Sequence, residues 1–255
     1  MTNQHATKPI LFSGPMVSAL LAGRKTQTRR LLKLAGRRPD YVGPRGCQDD
    51  PQCWGWEHSD GGYITIEGND CTHLPGWRNG WRDWRGAYAT GDRLYVREAW
   101  SGIHAFSDTK PVDRHSFVGD GWPYLRDEIW YWADGSPERG DWEKPRPSIH
   151  MPRWASRLTL IVTDVRVQRL QDISEAEAVA EGCLMDPEPT EHGDYMPAEI
   201  AHEMGGDVGW DSARDWFADL WDSLHGPDAW EANPWIVALT FDWHRGNIDE
   251  IASKL

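Results

Sequence analysis

The chain has 255 residues, of which 39% are hydrophobic and 26% charged, the composition of an ordinary globular protein with one large or two small domains. No apolar run approaches the roughly 20 residues of a membrane span, segment 1–8 lacks the apolar core of a signal peptide, and the four cysteines are too few and scattered for a disulfide framework, so we expect a cytoplasmic protein. The formal net charge of −13 argues against a general nucleic-acid coat protein.

The charge is distributed unevenly along the chain. Residues 1–46 hold nine Lys or Arg and one acid, whereas residues 171–231 hold seventeen Asp or Glu and a single Arg. A positive N-terminal segment on an acidic body predicts a local site for an anionic or polar ligand rather than long-range capture of a polyanion. The alternative is that the two regions neutralise each other across the fold.

The first residues predict a strand followed by a short helix. The run 8–12 is typical of a short strand, and Ser13-Gly14-Pro15 is typical of a helix start, because proline is favoured in the first turn. Apolar residues at helical spacing follow, and Gly23 stands where a glycine often ends a helix. The basic run 24–30 is therefore the segment that leaves this helix.

Three later segments predict strands. Residues 93–97 and 235–243 alternate between apolar and other side chains, as half-buried strands do. Residues 157–170 give the clearest signal, but the alternation that includes Val162 resumes one position out of phase at Val165. We interpret this segment as a pair of strands.

Two later segments predict helices. Ser174 and Glu177 have the spacing of a capping box, which opens a helix that Gly182 can end. Residues 211–224 carry large apolar side chains on one helical face and are followed by Gly-Pro, which stops a helix. The order strand, helix, strand, strand pair, helix, helix, strand lacks βαβ alternation and predicts a small mixed α+β barrel.

Three stretches with little periodicity interrupt this skeleton: 35–89, 102–152 and 185–209. They are rich in Gly and Pro, so we predict irregular insertions, which are often functional when they are this long. The chain has 17 tryptophans. We interpret them as packing the long connections onto a small core, with stacking on a base as the alternative.

Lys25 and Thr28 lie inside the basic run with two residues between them. On a helix or turn they share a face, whereas on a regular strand they point to opposite faces. A neutral lysine can take the hydroxyl proton of a threonine and make it a nucleophile. The neighbouring Arg24, Arg29 and Arg30 disfavour the ammonium form and can bind a phosphate or an oxyanion. The alternative is a solvated basic turn.

A carboxylate would complete an acid–base site at this position. Glu181 is the candidate, because it ends the short capped helix at the end where the helix dipole disfavours negative charge. A carboxylate at a position where the helix dipole disfavours it suggests a functional role. The alternative is an ordinary solvated glutamate at the end of a helix.

Five residues include enough ligands for a zinc ion: Cys47, Cys53, His58, Cys71 and His73. Their spacing lacks the C-x2–4-C pattern of most structural zinc sites. We therefore expect no metal and no cofactor.

The motif Gly23-x-Lys25-x-x-Thr28-x-Arg30 resembles the signature of ASCH-domain proteins, a branch of the PUA-like β-barrel folds. Most of that family has glutamate where this chain has Thr28. Small bacterial ASCH proteins that act as N4-acetylcytidine amidohydrolases are similar to this chain in carrying threonine there. The resemblance continues in Gly91-Asp92-x-Leu94-x-Val96 and in residues 158–181 and 235–241, and it covers roughly 100 of the 255 residues.

For the fold, the resemblance implies one PUA-like domain over residues 1–255, a small mixed β-barrel flanked by helices. Its core would comprise about 8–34, 90–101, 153–184 and 210–245. The insertions have no counterpart in the small enzymes. They are similar instead to parts of longer ASCH-type proteins that are common in phage and prophage genomes.

For the function, the resemblance implies hydrolysis of the N4-acyl amide of an acylated cytidine without a metal. Thr28 would attack the acyl carbonyl, Lys25 would accept its proton, and Glu181 would deliver a proton to the leaving amine. The expected partner is a small modified nucleoside, with a monomer favoured and no membrane contact. The candidate substrate-binding residues are Arg24, Arg29, Arg30 and Phe12.

Two other functions fit the same residues. A non-catalytic module that binds RNA or a modified nucleotide needs only the basic cleft and stacking aromatics, although the acidic chain argues against tight RNA binding. A ribonuclease would also use the cleft, but the motif lacks a histidine pair. Under the enzyme hypothesis, we expect the Trp-rich insertions to deepen the pocket so that it admits acyl groups larger than acetyl.

Overall fold

The structure of the protein is a computed structural model. It describes residues 6–33, 36–43, 46–57, 63–66, 88–108, 110–113, 129–183 and 210–252. The predicted insertion at 185–209 lies outside the described residues, as do large parts of the other two insertions.

Five strands form the central sheet, in the order β1-β6-β9-β10-β2 along the sheet. With strands numbered in chain order, they are β1 (Thr7–Leu11), β2 (Gln27–Leu31), β6 (Arg93–Arg97), β9 (Leu158–Arg169) and β10 (Trp235–Arg245). β1 and β6 run parallel, and the other pairs are antiparallel. β1 and β2, which come from the two sides of the first helix, are therefore the edges of this sheet.

Four α-helices lie within the described residues: α1 (Gly14–Leu21), α2 (Glu175–Ala180), α3 (Ala213–His225) and α4 (Ile248–Ala252). The first three confirm the predicted helices, and α2 begins with the predicted capping box of Ser174 and Glu177. The short helix α4 was not predicted. Together the helices and the mixed sheet confirm the α+β class. Every helix in the described ranges is too short or too polar to cross a lipid bilayer.

The prediction of two strands over 157–170 is wrong, because β9 is one strand with a bulge. Opposite β10, Asp164 pairs with Thr240 and Val162 pairs with Phe241, which leaves Thr163 as an extra residue. One extra residue moves every following side chain to the other face of a strand. The change of phase in the apolar alternation of the sequence therefore marks the position of the bulge.

The prediction that residues 35–89 and 102–152 are irregular is wrong for parts of both segments. The first contains a small sheet of β3 (Asp40–Tyr41), β4 (Trp54–Glu57) and β5 (Tyr63–Thr65). The second contributes β8 (Ile129–Tyr131), which pairs with β7 (Trp100–Gly102).

Tryptophans connect these additions to the central sheet. The Arg169 guanidinium lies between the rings of Trp54 and Trp235, with its Cζ 4.5 Å from each ring centroid. Trp56 and Trp100 are buried. These contacts confirm, for the described residues, the interpretation that tryptophans pack connections onto the core.

The central sheet separates two apolar cores. On β10, Leu239 joins the core that contains Leu20 of α1, whereas Ala238 joins the core that contains Phe217 of α3. Alternate residues of a strand point to opposite faces of its sheet. Successive residues of a strand in the central sheet therefore face alternately the α1 side and the α2–α3 side. The same alternation sets the side on which the residues of the basic motif lie.

The N-terminus of α2 offers a test of the capping contact. We expect Ser174→Ala to lower the free energy of unfolding by about 1 kcal/mol, because the Ser174 hydroxyl accepts a hydrogen bond from the Glu177 amide. Ser13→Ala is the matched control, since Ser13 caps α1 without a side-chain hydrogen bond. Urea unfolding of both variants measures the difference, and equal losses would contradict a stabilising role for the cap.

Candidate functional site

The basic motif forms a turn followed by a strand. Gly23 adopts a φ of 74°, a left-handed conformation that suits glycine, and the Lys25 amide donates to the carbonyl oxygen of Ala19 at 3.1 Å. The Thr26 amide donates to the carbonyl oxygen of Ala180 at 2.9 Å, which ties the turn to α2. Because Lys25 precedes β2, the alternation of the strand does not fix the direction of its side chain. The sequence alone did not show whether Lys25 lies on a turn or on a strand.

Within β2 the motif is divided between the two faces of the sheet. Thr28 pairs with Leu239 and Arg30 with Val237, both of which belong to the α1-side core. Arg29 pairs with Ala238, which belongs to the α2–α3 side. Thr28 and Arg30 are thus on one face of β2, and Arg29 is on the other.

Lys25 and Glu181 form a buried ion pair. Lys25 is 0% exposed and Glu181 is 4% exposed. The Lys25 Nζ donates to Glu181 Oε2 at 2.6 Å and to the Glu181 carbonyl oxygen at 2.8 Å. Two of the three residues proposed as a triad therefore meet, although 156 positions separate them in the chain.

The pKa of Lys25 is lowered from its usual value, chiefly because burial removes water from the ammonium group. The charge of Glu181 and its hydrogen bond oppose this effect, and the charges of Arg30 and Arg29 add to it. The sequence suggested the arginines as the cause, but burial is the larger one. A lysine in this setting gives up its proton more readily than an exposed lysine.

Arg29 connects Glu181 to a second carboxylate on α2. Its Nη1 donates to Glu181 Oε1 at 3.1 Å, and its Nη2 lies 3.2 Å from Glu177 Oε2. Arg166 approaches Glu177 from the other side. Glu177 and Arg166 were not identified from the sequence. The spacing of Glu177 and Glu181, one helical turn apart, was the available signal.

Thr28 is 0% exposed, and its hydroxyl is in contact with Arg30. Arg30 Nη1 donates to Thr28 Oγ1 at 2.7 Å and to the carbonyl oxygen of Arg29 at 2.9 Å. Arg30 Nη2 donates to the carbonyl oxygen of Leu11 at 3.0 Å and so links the edge strands β2 and β1. The third member of the proposed triad therefore has Arg30 as its side-chain partner; no hydrogen bond to Lys25 or Glu181 is present among these described residues.

The ring of Phe12 lies beside both cations. Lys25 Nζ is 5.5 Å and Arg30 Cζ is 5.4 Å from its centroid, within the range of a cation–π contact. Phe12 itself is buried in the α1-side core. It therefore provides an apolar surface beside the two charged groups.

A cavity of about 340 Å³ opens beside this group. Its lining comes from the end of β1, from α1, β2 and α3, and from Glu181, and it includes Phe12, Met16, Arg29, Arg30, Phe217 and Trp221. Lys25, Thr28 and Arg24 are not among its lining residues. The aromatic wall belongs to α3, and among the described residues of the predicted insertions only Ser148 reaches the cavity.

His225 also lines the cavity, and its ring centroid lies 4.2 Å from that of Trp221. Burial lowers the pKa of His225 from its usual value, and the nearby Arg38, Arg30 and Lys33 act in the same direction. The imidazole is therefore held in its neutral form around neutral pH, so the wall of α3 presents stacked neutral rings opposite the arginines.

No group of three or more His, Cys, Asp or Glu residues that could hold a metal ion occurs among the described residues. Of the zinc candidates, Cys47 and Cys53 lie within the described residues and are not joined to a described cysteine by a disulfide. His58, Cys71 and His73 lie outside the described residues.

The comparisons with known proteins give no relatives. A scan against protein-family models matched none, and neither the search of curated proteins nor the search of solved structures found a match.

The junction of α2 with Lys25 offers a test of the site's packing. Gly182 has a φ of 108°, and a Cβ there would lie 2.9 Å from Ala19 Cβ and 3.3 Å from Lys25 Cβ. We expect Gly182→Ala to cost about 1–3 kcal/mol more in the free energy of unfolding than Gly226→Ala. Gly226 has a similar φ of 101° but open space around it, so it reports the backbone strain alone. Urea unfolding measures both, and equal costs would refute the close packing of Gly182 on Lys25.

Proposed function

We propose that the protein is a metal-independent amidohydrolase that cleaves the N4-acyl amide of acylated cytidine or cytosine nucleosides. The observation that carries the proposal is the buried ion pair of Lys25 and Glu181. The resemblance to ASCH-domain amidohydrolases implies a catalytic role for Lys25 of the basic motif and for Glu181 at the end of helix 174–181, and these two side chains are in contact. Their ion pair also lies beside a cavity with an apolar wall and arginines opposite it, as a site for a planar polar ligand requires.

The same proposal includes the finer fold, a PUA-like β-barrel. Support comes from the two edges of the central sheet, which approach each other where Arg30 of β2 donates to the Leu11 carbonyl oxygen of β1. Curling of a mixed five-stranded sheet until its edges meet is what a small barrel of this kind needs.

In the proposed reaction, Thr28 Oγ1 forms a bond to the acyl carbon while the π electrons of the carbonyl move to its oxygen. The hydroxyl proton passes to Lys25, whose Nζ is hydrogen-bonded to Glu181. The tetrahedral species then collapses, the bond between carbon and the exocyclic nitrogen breaks, and the Lys25–Glu181 pair returns the proton to the leaving amine. Water repeats the sequence on the acyl-threonine and releases the carboxylic acid.

The second candidate function is non-catalytic binding of RNA or a modified nucleotide. The observation in its favour is that Thr28 is buried and has Arg30, rather than Lys25, as its hydrogen-bond partner. A binding module needs only the arginines and the aromatic wall of the cavity. Turnover of a small nucleoside by the protein separates the two functions.

The nucleophile gives the first functional test. We expect Thr28→Ala to reduce kcat/KM for N4-acetylcytidine by at least about 10³-fold, as loss of a covalent nucleophile does, whereas Thr28→Ser retains part of the activity. Thr159→Ala is the matched control, since Thr159 is also buried and its hydroxyl donates to the Gly246 carbonyl oxygen. Release of cytidine and acetate measures activity. Absence of turnover by the native protein across a series of N4-acylcytidines would favour the binding module.

The proton acceptor gives the second functional test. We expect kcat/KM to rise with pH, since Lys25 accepts a proton only when neutral, and to reach its plateau below the ordinary lysine pKa of about 10.4. The plateau is expected at a lower pH than for an exposed lysine, because burial lowers the pKa of Lys25. Rates measured from pH 5 to pH 10, corrected for hydrolysis without protein, test this. A profile that rises only around the ordinary lysine pKa, or that falls as the pH rises, would contradict the role of Lys25.

A further inference from the structure

The cation in contact with the Thr28 hydroxyl is Arg30. Its Nη1 lies 2.7 Å from Thr28 Oγ1, whereas Lys25 Nζ gives two of its N–H bonds to Glu181. An arginine does not give up its proton in proteins, so it cannot be the base that activates a hydroxyl. Its position next to the nucleophile therefore calls for a different role from that of Lys25.

Arg30 is fixed by several hydrogen bonds and still has N–H donors available. An arginine has five N–H donors, and Arg30 gives three of them to Thr28 Oγ1 and to the carbonyl oxygens of Arg29 and Leu11. Two N–H donors therefore remain without a partner among the described residues. The side chain also lies over the ring of Phe12 and lines the cavity. A fixed guanidinium with free donors at a cavity wall is a preorganised site for negative charge.

We propose that Arg30 is the oxyanion donor of the reaction: it binds the acyl carbonyl oxygen of the substrate and stabilises the charge that develops there. This role rests on the proposed amidohydrolase function. The carbonyl oxygen replaces the Thr28 hydroxyl as an acceptor of Arg30, which frees an oxygen lone pair of Thr28 for attack. As the bond from Oγ1 to the acyl carbon forms, the π electron pair of the carbonyl settles on the oxygen held by Arg30, and the hydroxyl proton passes to the Lys25–Glu181 pair.

The two cations then have separate tasks. Lys25 is buried, is absent from the cavity wall and is paired with a carboxylate, an arrangement suited to moving protons. Arg30 reaches the cavity, and no carboxylate is paired with it among the described residues, so its charge is available to an anion.

Kinetics of Arg30→Ala on N4-acetylcytidine test the proposal. We expect kcat to fall by about 10²- to 10³-fold, as loss of an oxyanion donor does, with KM changed less than about threefold, and added guanidinium ion to restore part of kcat. Arg153→Ala is the matched control, because Arg153 also lies over an aromatic ring, that of Tyr95, but does not line the cavity. A rise in KM without loss of kcat, or a loss that guanidinium does not restore, would overturn the role.

Arg30→Lys keeps the test valid if Arg30→Ala does not fold. A lysine retains the charge but not the fixed fork of donors, so we expect a smaller loss of kcat, with no rescue by guanidinium because the ammonium occupies the site. Unchanged kcat in Arg30→Lys would also overturn the role of the guanidinium. The native protein distinguishes the two proposals: if it hydrolyses no N4-acylcytidine the proposed function fails, and if it does so while Arg30 variants keep kcat, only the role of Arg30 fails.

Discussion

The arrangement of this protein depends on one carboxylate buried between two cations. Glu181 accepts from Lys25 at one oxygen and from Arg29 at the other. Buried charges are tolerated only when they are paired, and removal of one partner typically costs about 3–5 kcal/mol. The turn after α1 and the strand β2 that follows it must therefore pack against the end of α2, with 156 positions between Lys25 and Glu181 in the chain. Gly182 permits this approach, because a larger residue there would collide with Ala19 and Lys25.

The alternation of β2 lets one short motif serve two purposes. Arg29 leaves the strand on the α2–α3 side and fastens the helix by its two carboxylates, Glu177 and Glu181. Thr28 and Arg30 leave it on the opposite side and meet next to Phe12. Lys25 stands before the strand and reaches Glu181 from the turn. The pleat of β2 thus directs Arg29 toward Glu181 and directs Thr28 and Arg30 to the opposite side of the sheet, although the three residues are adjacent in the chain.

Local signals in the sequence predicted the local structure well. Capping residues and apolar spacing identified α1, α2 and α3, and alternation identified β6 and β10. The bulge at Thr163 was missed, since a change of phase looks the same as a break between two strands. The small strands β3, β4 and β5 were missed because they are too short to show periodicity. For the site, the position of Glu181 at the end of the capped helix made it a candidate and the resemblance assigned it a role with Lys25, but no spacing rule connects the two residues. The contact of Arg30 with Thr28 needed the knowledge that both lie on a strand.

The bond from Arg30 to the Leu11 carbonyl oxygen has a consequence for motion. Neighbouring strands elsewhere in the central sheet are joined by rows of backbone hydrogen bonds, whereas in the described part of the chain the edges β1 and β2 are joined through this side chain. A row of bonds resists separation cooperatively, whereas the link between these two edges is one side-chain hydrogen bond from a guanidinium that also bonds to Thr28 and to the Arg29 carbonyl oxygen. Separation of these two edges therefore requires Arg30 to break its bond to the Leu11 carbonyl oxygen. The side chain that contacts the Thr28 hydroxyl is thus also the one that joins the edges of the sheet.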